Sequence, residues 1–408
     1  MSKPDTELVI IGAGPAGASL ALALAQAGFE TVLVDARDTG KPAREDTRNY
    51  AIVTGSWRLL TAIGIAERLE GLTEPLHGLE AEDGGTHWFG APSVLFGDDD
   101  LVDRDDDETL GHMVEARHLQ AALDDATQSQ PNLKLLKPAL FQSYQVRPGA
   151  IEIHLSGGEA IVSRLLIGAD GINSPVREAA GISTEGRDYQ KSVFAANVTL
   201  SRPHHGIARQ LFTPEGPFAT LPLQGDRANL AWYLKRGAAE ALAKQPPEAV
   251  EAELNHRFAD FAGEMKIDGP MGSYPLILQI AETMIDERVA LVGDAVRRIN
   301  PLAGQGLNQG FRDVAALYDA IIEGDRAGLD IGSPQILSAY QASRRFDANA
   351  TALAMDAIDR LFSNDSTLTK PVRSLGLLLT DKLKPVREKI AGFASASSDD
   401  LPSLMRRP

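Results

Sequence analysis

An α/β fold in two or three compact units follows from three stretches of this 408-residue chain. First, residues 7–11 form a short apolar strand that runs into Gly12-Ala13-Gly14-Pro15-Ala16-Gly17 and a small-residue helix to about Ala27; a second strand, 31–34, then ends on Asp35. Second, residues 192–234 alternate apolar and polar side chains between turn signals at Pro203, at Pro214-Glu215-Gly216-Pro217 and at Gly225-Asp226, as a mostly antiparallel β-sheet does. Third, residues 288–313 (RVALVGDAVRRINPLAGQGLNQGFRD) start as a buried strand at 289–292. They break at Gly293-Asp294 and enter a helix near Leu307.

The first stretch gives strand, GxGxxG, helix, strand and acidic residue within about 30 residues, the order of a Rossmann-like dinucleotide-binding unit. Gly12 permits the tight turn, Gly14 lets a pyrophosphate approach the backbone, and Gly17 lets helix and strand pack closely. Asp35 stands 18 positions after Gly17, where a carboxylate can accept from a ribose hydroxyl. The fingerprint alone does not separate NAD from FAD. Its place early in the chain, with further glycine turns much later, suits FAD lying extended across a discontinuous domain.

Residues 44–50 (REDTRNY) are polar and precede a helix expected at 56–63, with Thr54 or Ser56 as its cap. Arg48 there is either a phosphate or flavin contact or an ordinary surface arginine. Residues 97–108 (GDDDLVDRDDDE) carry eight acids and one base and read as a solvated loop; they lack the spacing of a calcium loop. A helix at 113–126 would put Leu119 and Leu123 on one face and Arg117 in its first turn, again as cofactor contact or surface arginine. Strands are expected at 135–140, 142–147 and 151–155, and the turn Ser156-Gly157-Gly158 suggests a hairpin into 160–163.

The segment 164–177 (RLLIGADGINSPVR) is a buried strand, 165–167, then a glycine turn, then a helix containing Val176 and Arg177. Asp170 sits at the strand's carboxyl end, where open α/β sheets place ligand contacts, and where it could equally cap the next helix. His204-His205 has no third ligand nearby and reads as a strand-edge or pocket pair, so no metal is expected. An amphipathic helix is expected at 246–261. Beyond Asp313 the chain reads as helical: 313–322 continues the late helix, and 333–361 forms a long helix or pair. Residues 370–389 hold six bases and two acids, with Val372, Leu375, Leu379 and Leu383 at helical spacing. That is either a surface helix meeting anionic lipid or a partner, or a helix packed on the core. The Ser- and Asp-rich last residues are expected to be loose.

Composition bounds the function. A 43% hydrophobic and 24% charged chain is an ordinary globular protein. A net charge of −16 argues against a nucleic-acid binder. With no cysteine, disulfides, thiolate nucleophiles and cysteine metal sites are excluded. Neither a signal pattern nor an apolar run of about 18 residues is present, so a cytoplasmic protein, soluble or peripheral, is expected.

GAGPAG, GADGINS and GDAVRRINPLAGQGLNQG form an ordered triplet, and with it the chain resembles the FAD-dependent aromatic monooxygenases similar to para-hydroxybenzoate hydroxylase. MVEARHLQAAL, PEGPFATLPL (214–223) and RLFSND (360–365) narrow the resemblance to the ubiquinone-biosynthesis hydroxylase branch. The resemblance implies a discontinuous FAD-binding domain over 1–75, 100–185 and 281–340. It implies a β-sheet substrate domain over 76–99 and 186–280, roofing the flavin, and a helical C-terminal region over 341–408 that contacts a membrane or partner.

By the same resemblance Gly12, Gly14, Pro15, Ala16 and Gly17 would hold the FAD pyrophosphate, with Asp35, Ala36 and Arg37 at the adenosine ribose. Arg48 and Arg117 would lie near the cofactor, and Asp170 falls on the family's DG aspartate. Asp294 would contact the ribityl chain. Pro301 would sit beside the flavin ring, and Gly304, Gln305, Gly306, Leu307 and Asn308 at its pyrimidine edge. Pro301 and Arg48 would be catalytic, and Leu221, Pro222 and Tyr233 would line the substrate pocket; Tyr50, Tyr189 and Tyr274 are further phenol contacts. The implied reaction uses NAD(P)H and O2 to hydroxylate a polyprenylated phenol through a flavin hydroperoxide, on the inner face of the membrane with assembly partners. A soluble phenol as substrate, or a non-catalytic FAD-binding component, are the alternatives. The family's GDAAH reads GDAVR here. Arg297 in place of the histidine is thus a tolerated change, an altered specificity, or lost catalysis with FAD retained.

Overall fold

The computed structural model describes residues 4–38, 48–84, 93–101, 108–299, 305–344 and 401–407. Its first layer is a six-stranded sheet of β1 (Leu8–Ile11), β2 (Thr31–Val34), β8 (Leu133–Leu136), β12 (Leu165–Gly168), β18 (Ile285–Asp286) and β19 (Val289–Leu291), in the order β18-β19-β12-β1-β2-β8. All pairings are parallel except β18 with β19. LVII and TVLV are buried at every position, the continuous apolar pattern of a sheet covered on both faces. Helix α1 (Pro15–Gln26) packs against both α3 (Ala116–Ser129) and α7 (Gln305–Arg326).

The second layer is an eight-stranded sheet of β5 (Gly78–Asp83), β6 (Ser93–Gly97), β13 (Thr184–Leu200), β14 (Ile207–Thr213), β15 (Gly216–Pro222), β16 (Arg227–Lys235), β17 (Met265–Ala281) and β20 (Arg297–Arg298). Its order is β20-β17-β13-β16-β15-β14-β5-β6, antiparallel except where β14 meets β5. The period-2 pattern sends Phe194, Phe218, Leu230 and Trp232 to one face, under α5 (Arg236–Leu242) and α6 (Pro247–Ala262). Phe218 stacks on Phe258 of α6 at 3.7 Å between ring centroids. A small sheet of β3 (Asn49–Val53), β4 (Thr73–Leu76) and β7 (Gly111–Glu115) lies beside the opposite face. The strands β9 (Phe141–Arg147), β10 (Ala150–Leu155) and β11 (Ala160–Ser163) form a hairpin sheet, and α2 (Thr54–Ala62) and α4 (Pro175–Ala179) complete the labelled elements. The α/β class, with parallel and antiparallel layers, is the one expected.

Several boundaries move, each for a long-range reason. The expected helix at 113–126 begins only at Ala116, because 111–115 is claimed as a strand between β3 and β4. The strand expected at 135–140 becomes β8, where register with β2 pairs Leu33 with Leu135. Helix α2 has Val53 at its N-cap; the Thr54 hydroxyl instead donates to Thr109 O at 2.7 Å, so neither Thr54 nor Ser56 caps it. Helix α7 starts two residues ahead of Leu307. Residues 334–344 are helical, and the basic stretch 370–389 lies outside the described residues.

Residues 401–407 are not loose. Leu401 and Met405 are buried in the main core, and Ser403 N donates to the Asp319 carboxylate of α7 at 2.8 Å. His204 ties a turn: its Nε2 lies 2.9 Å from Leu223 O and 2.8 Å from Gly225 O, and its Nδ1 accepts from Gly206 N. Among the described residues no helix is long and apolar enough to cross a membrane.

Candidate functional site

The glycine turn after β1 separates its three glycines by what each one faces. Gly12 has φ +103°, and a Cβ there would lie 2.4 Å from Ala169 O. A Cβ on Gly17 would lie 1.9 Å from Gly12 O. Both are demanded by the protein's own packing of turn, α1 and the loop after β12. Gly14 is different: a Cβ there would meet nothing within 4 Å. It is the N-cap of α1, followed by Pro15, and no side chain caps the helix. Uncapped N–H groups and the positive end of the dipole are therefore presented to open space beside Gly14 and Ala16, the arrangement that receives phosphate.

Asp35 braces this turn. Its carboxylate accepts from Ala13 N at 2.7 Å, from Arg37 N at 2.9 Å and from Arg37 Nε at 2.7 Å. Arg37 Nη2 and Gln120 Nε2 both donate to Ala13 O, at 2.7 and 3.0 Å. Ala36, next in the chain, is exposed.

Asp170 takes the capping role. It accepts from Val176 N at 3.0 Å and from the Ser174 hydroxyl, and Ser174 accepts from Arg177 N, which starts α4. Burial pushes its carboxyl up, against those hydrogen bonds. Arg177 then donates to Ile172 O and to Ala295 O, both at 2.8 Å, joining the second glycine turn to the third.

At the third turn Gly293 has φ +64°, and its Cβ would stand 3.1 Å from the Ala16 side chain; a Cβ on Gly310 of α7 would stand 3.3 Å from Gly293. These small residues bring the turn, the start of α1 and α7 into contact. Asp294 on that turn is open to solvent although protein walls it on most sides. That crowding raises its carboxyl above the usual range, and the guanidinium groups of Arg48, Arg298 and Arg297 pull it back. The structure thus gathers Gly14, Ala16, Asp294 and Arg48 at the carboxyl ends of the parallel strands. Arg48 also lies over the Tyr50 ring at 5.7 Å.

Other expected site residues spend their side chains on the scaffold. Asn308 is buried, accepts from Val53 N at 3.1 Å and donates to Ala51 O at 2.8 Å, fastening α7 to β3. Arg117 is exposed and pairs with Glu115 at 2.8 Å; Glu115 also receives Arg227 of β16 at 3.2 Å. Gly306 faces open space and Leu307 is half-buried. Pro301 and Gly304 lie outside the described residues, as does the side chain of Gln305. Arg297, at the histidine position, is turned into the interior, where Nη1 donates to both carboxylate oxygens of Asp313 at 2.8 and 2.7 Å. Asp313, Arg344 and Glu115 were not picked out from the sequence. Asp313 leaves one signal, a charge between Phe311 and Val314 on an apolar helix face.

The uncovered face of the antiparallel sheet is set by register. Leu221, Asn229 and Asn197 align across three strands, as do Ala219, Ala231 and Ala195, and Tyr233 pairs with Val193. At one end this face is clasped to the small sheet. Asn197 Oδ1 accepts from Asn49 Nδ2 at 2.9 Å and Asn229 Nδ2 at 3.0 Å, and Leu221 and Leu223 pack on Ala51 and Met113. At the other end β20, three residues past Asp294, pairs with β17. Between the clasps lie Ala195, Ala231, Tyr189, Tyr233 and Leu276. Pro222 pairs with Ala228 and so alternates onto the helix-covered face, apart from Leu221 and Tyr233. A surface hollow of about 290 Å³ beside Thr6, Glu30, Asn132 and Lys134 is at the amino ends of the strands, the end opposite to ligand sites in such sheets.

The family described as FAD binding domain matches residues 5–354. The chain is 36% identical over 405 residues to the ubiquinone hydroxylase UbiL of Rhodospirillum rubrum, covering 98% of this chain and 92% of that protein. It is 32% identical to the 3-demethoxyubiquinol 3-hydroxylase of Escherichia coli, covering 97% and 99%. Among solved structures, p-nitrophenol 4-monooxygenase PnpA of Pseudomonas putida superposes with a TM-score of 0.78 at 18% identity, covering 97% and 98%, a likeness of fold.

Proposed function

The chain belongs to the FAD-binding family of aromatic-ring monooxygenases, in its ubiquinone-hydroxylase branch, and from that premise we propose that it hydroxylates the ring of a polyprenylated phenol on the way to ubiquinone, with FAD, NAD(P)H and O2. The observation that carries this reading is the split among the glycines: Gly12 and Gly17 are required by packing, whereas the room beside Gly14 is required by nothing in the protein. When bound, FAD supplies the redox and oxygen-activating chemistry that side chains lack.

The chain's own residues would bind, orient and enclose. The start of α1 (Gly14, Pro15, Ala16, Gly17) would hold the pyrophosphate on backbone N–H groups. Asp35, with Ala36 and Arg37 beside it, would face the adenosine ribose, and Asp294 the ribityl hydroxyls. Asp170 would act from behind as the brace of its turn. Arg48 beside Asp294 offers positive charge where the cofactor carries negative charge. Pro301 and the 304–308 segment would border the ring, and Arg117 an outer phosphate or ribose. Leu221 and Tyr233, on the face between the clasps, would line the substrate pocket and exclude water, with Pro222 supporting the strand from behind. The domain division carried into this proposal is FAD-binding over 1–75, 100–185 and 281–340, substrate-binding over 76–99 and 186–280, and a helical C-terminal region over 341–408.

A prenylated substrate resides in a bilayer, so the basic, apolar stretch 370–389 is proposed to hold the protein peripherally on the inner face of the membrane, near other enzymes of the pathway. Truncation after Asp365 would also remove buried Leu401 and Met405, so the better probe is neutral replacement of its six bases. Loss of binding to anionic vesicles is expected; unchanged binding removes the idea. For the reaction, lipid extracts of a deletion strain should accumulate a prenylated phenol that lacks one hydroxyl. No such accumulation, with a yellow purified protein, would redirect the substrate to a soluble phenol; a colourless protein would overturn the FAD reading.

A further inference from the structure

The turn that carries Asp294 is held from inside by buried polar side chains on three other elements. Asp313, fully buried on α7, accepts from Gly293 N at 3.1 Å and from Arg297 Nη1 at 2.8 and 2.7 Å. Its Oδ1 also accepts from Arg344 Nε at 2.8 Å, and Arg344 Nη2 donates to Gln309 Oε1 at 2.8 Å. From the same 334–344 helix the Tyr340 hydroxyl donates to Leu291 O at 2.7 Å. Arg177 of α4 holds Ala295 O at 2.8 Å. Residues 291, 293, 295 and 297 are thus each tethered, and Asp294, between them, is the exposed residue of 291–297.

A buried carboxylate that collects three charge-assisted donors has one low-energy geometry. Any helix that supplies one of those donors shares control of that geometry. We propose that Asp313 is a positioning residue for Asp294, and that through Arg344 and Tyr340 the 334–344 helix sets cofactor affinity without touching the cofactor. Arg297 belongs to the same network: its guanidinium braces the turn from the inside, which gives the departure from the family's histidine a scaffold role. This rests on the reading of the cleft as an FAD site.

The test is FAD titration of the full-length apoprotein, followed by quenching of flavin fluorescence, at a temperature where circular dichroism shows each variant folded. Asp313→Asn keeps the shape and removes the charge. FAD Kd should rise about tenfold, the scale of one charge-assisted hydrogen bond. Tyr340→Phe should give a smaller rise, and Arg344→Lys should retain more affinity than Arg344→Met. Phe218→Leu, in the helix-covered core of the other sheet, should lower the melting temperature and leave Kd unchanged. If Asp313→Asn does not fold, Tyr340→Phe and the Arg344 pair decide. Kd values within about twofold of the parent in all folded variants overturn the coupling. If the parent itself binds no FAD, the cofactor reading falls first and this inference with it.

Discussion

Gly12 and Gly14, two residues apart, make opposite demands, and that difference is measurable. Gly12→Ala would force a Cβ to 2.4 Å from a backbone carbonyl at φ +103°. It should cost at least ~2 kcal/mol in apoprotein stability, read as a lower urea midpoint. Gly14→Ala meets no protein atom. The apoprotein should melt within ~0.5 kcal/mol of the parent, while FAD affinity falls. Asp294 yields a pH prediction. Its folded-state carboxyl is raised above the ordinary aspartate value of 3.8, chiefly because the protein around it keeps water from solvating the charge. A raised acid favours the folded state below the unfolded value and loses that contribution as pH rises through the folded value. Asp294→Asn should therefore stabilise the apoprotein at neutral pH, with the gain vanishing at and below pH 3.8, while weakening FAD binding. Parallel thermal melts across that range check the sign.

At the scale of elements, α7 is held at its start by Asn308, whose amide satisfies Val53 N and Ala51 O of β3. Asn308→Ala would leave two buried backbone groups unpaired, and the expected loss is ~2 kcal/mol in chemical denaturation of the apoprotein. The sequence placed Asn308 at the flavin edge; the side chain is committed to the scaffold. The same lesson applies to β7. MVE reads naturally as the lead-in to a helix, yet it pairs on both sides with strands more than 30 residues distant. Nothing within a local window reports that partner. Alternation, in contrast, is local: once register is known, Leu221 and Pro222 must face opposite ways.

For the whole molecule, residues 401–407 return to the main core between α2 and α7. Removing residues 401–408 should destabilise the main core by ~3 kcal/mol, from re-exposure of Leu401 and Met405, without abolishing FAD binding at low temperature. A drop in melting temperature with retained yellow colour is the expected result. The antiparallel sheet is clasped to the small sheet at Asn49–Asn197, and its strand β20 follows directly on the turn that carries Asp294.

Family, α/β class, the three glycine turns and the cofactor chemistry are legible in the chain alone, because each is written in residues close together in it. Gly12, Gly14 and Gly17 signal a phosphate turn through backbone conformation alone, which needs no distant partner to be legible. Packing then separates the marked side chains that stay exposed from those tied to the scaffold. Asp294 is exposed, the Asp170 and Asn308 side chains make caps and clips, and Arg297 points inward to an aspartate 16 residues away. Those choices depend on which long-range partner satisfies each buried polar group, and that is settled only when the layers pack.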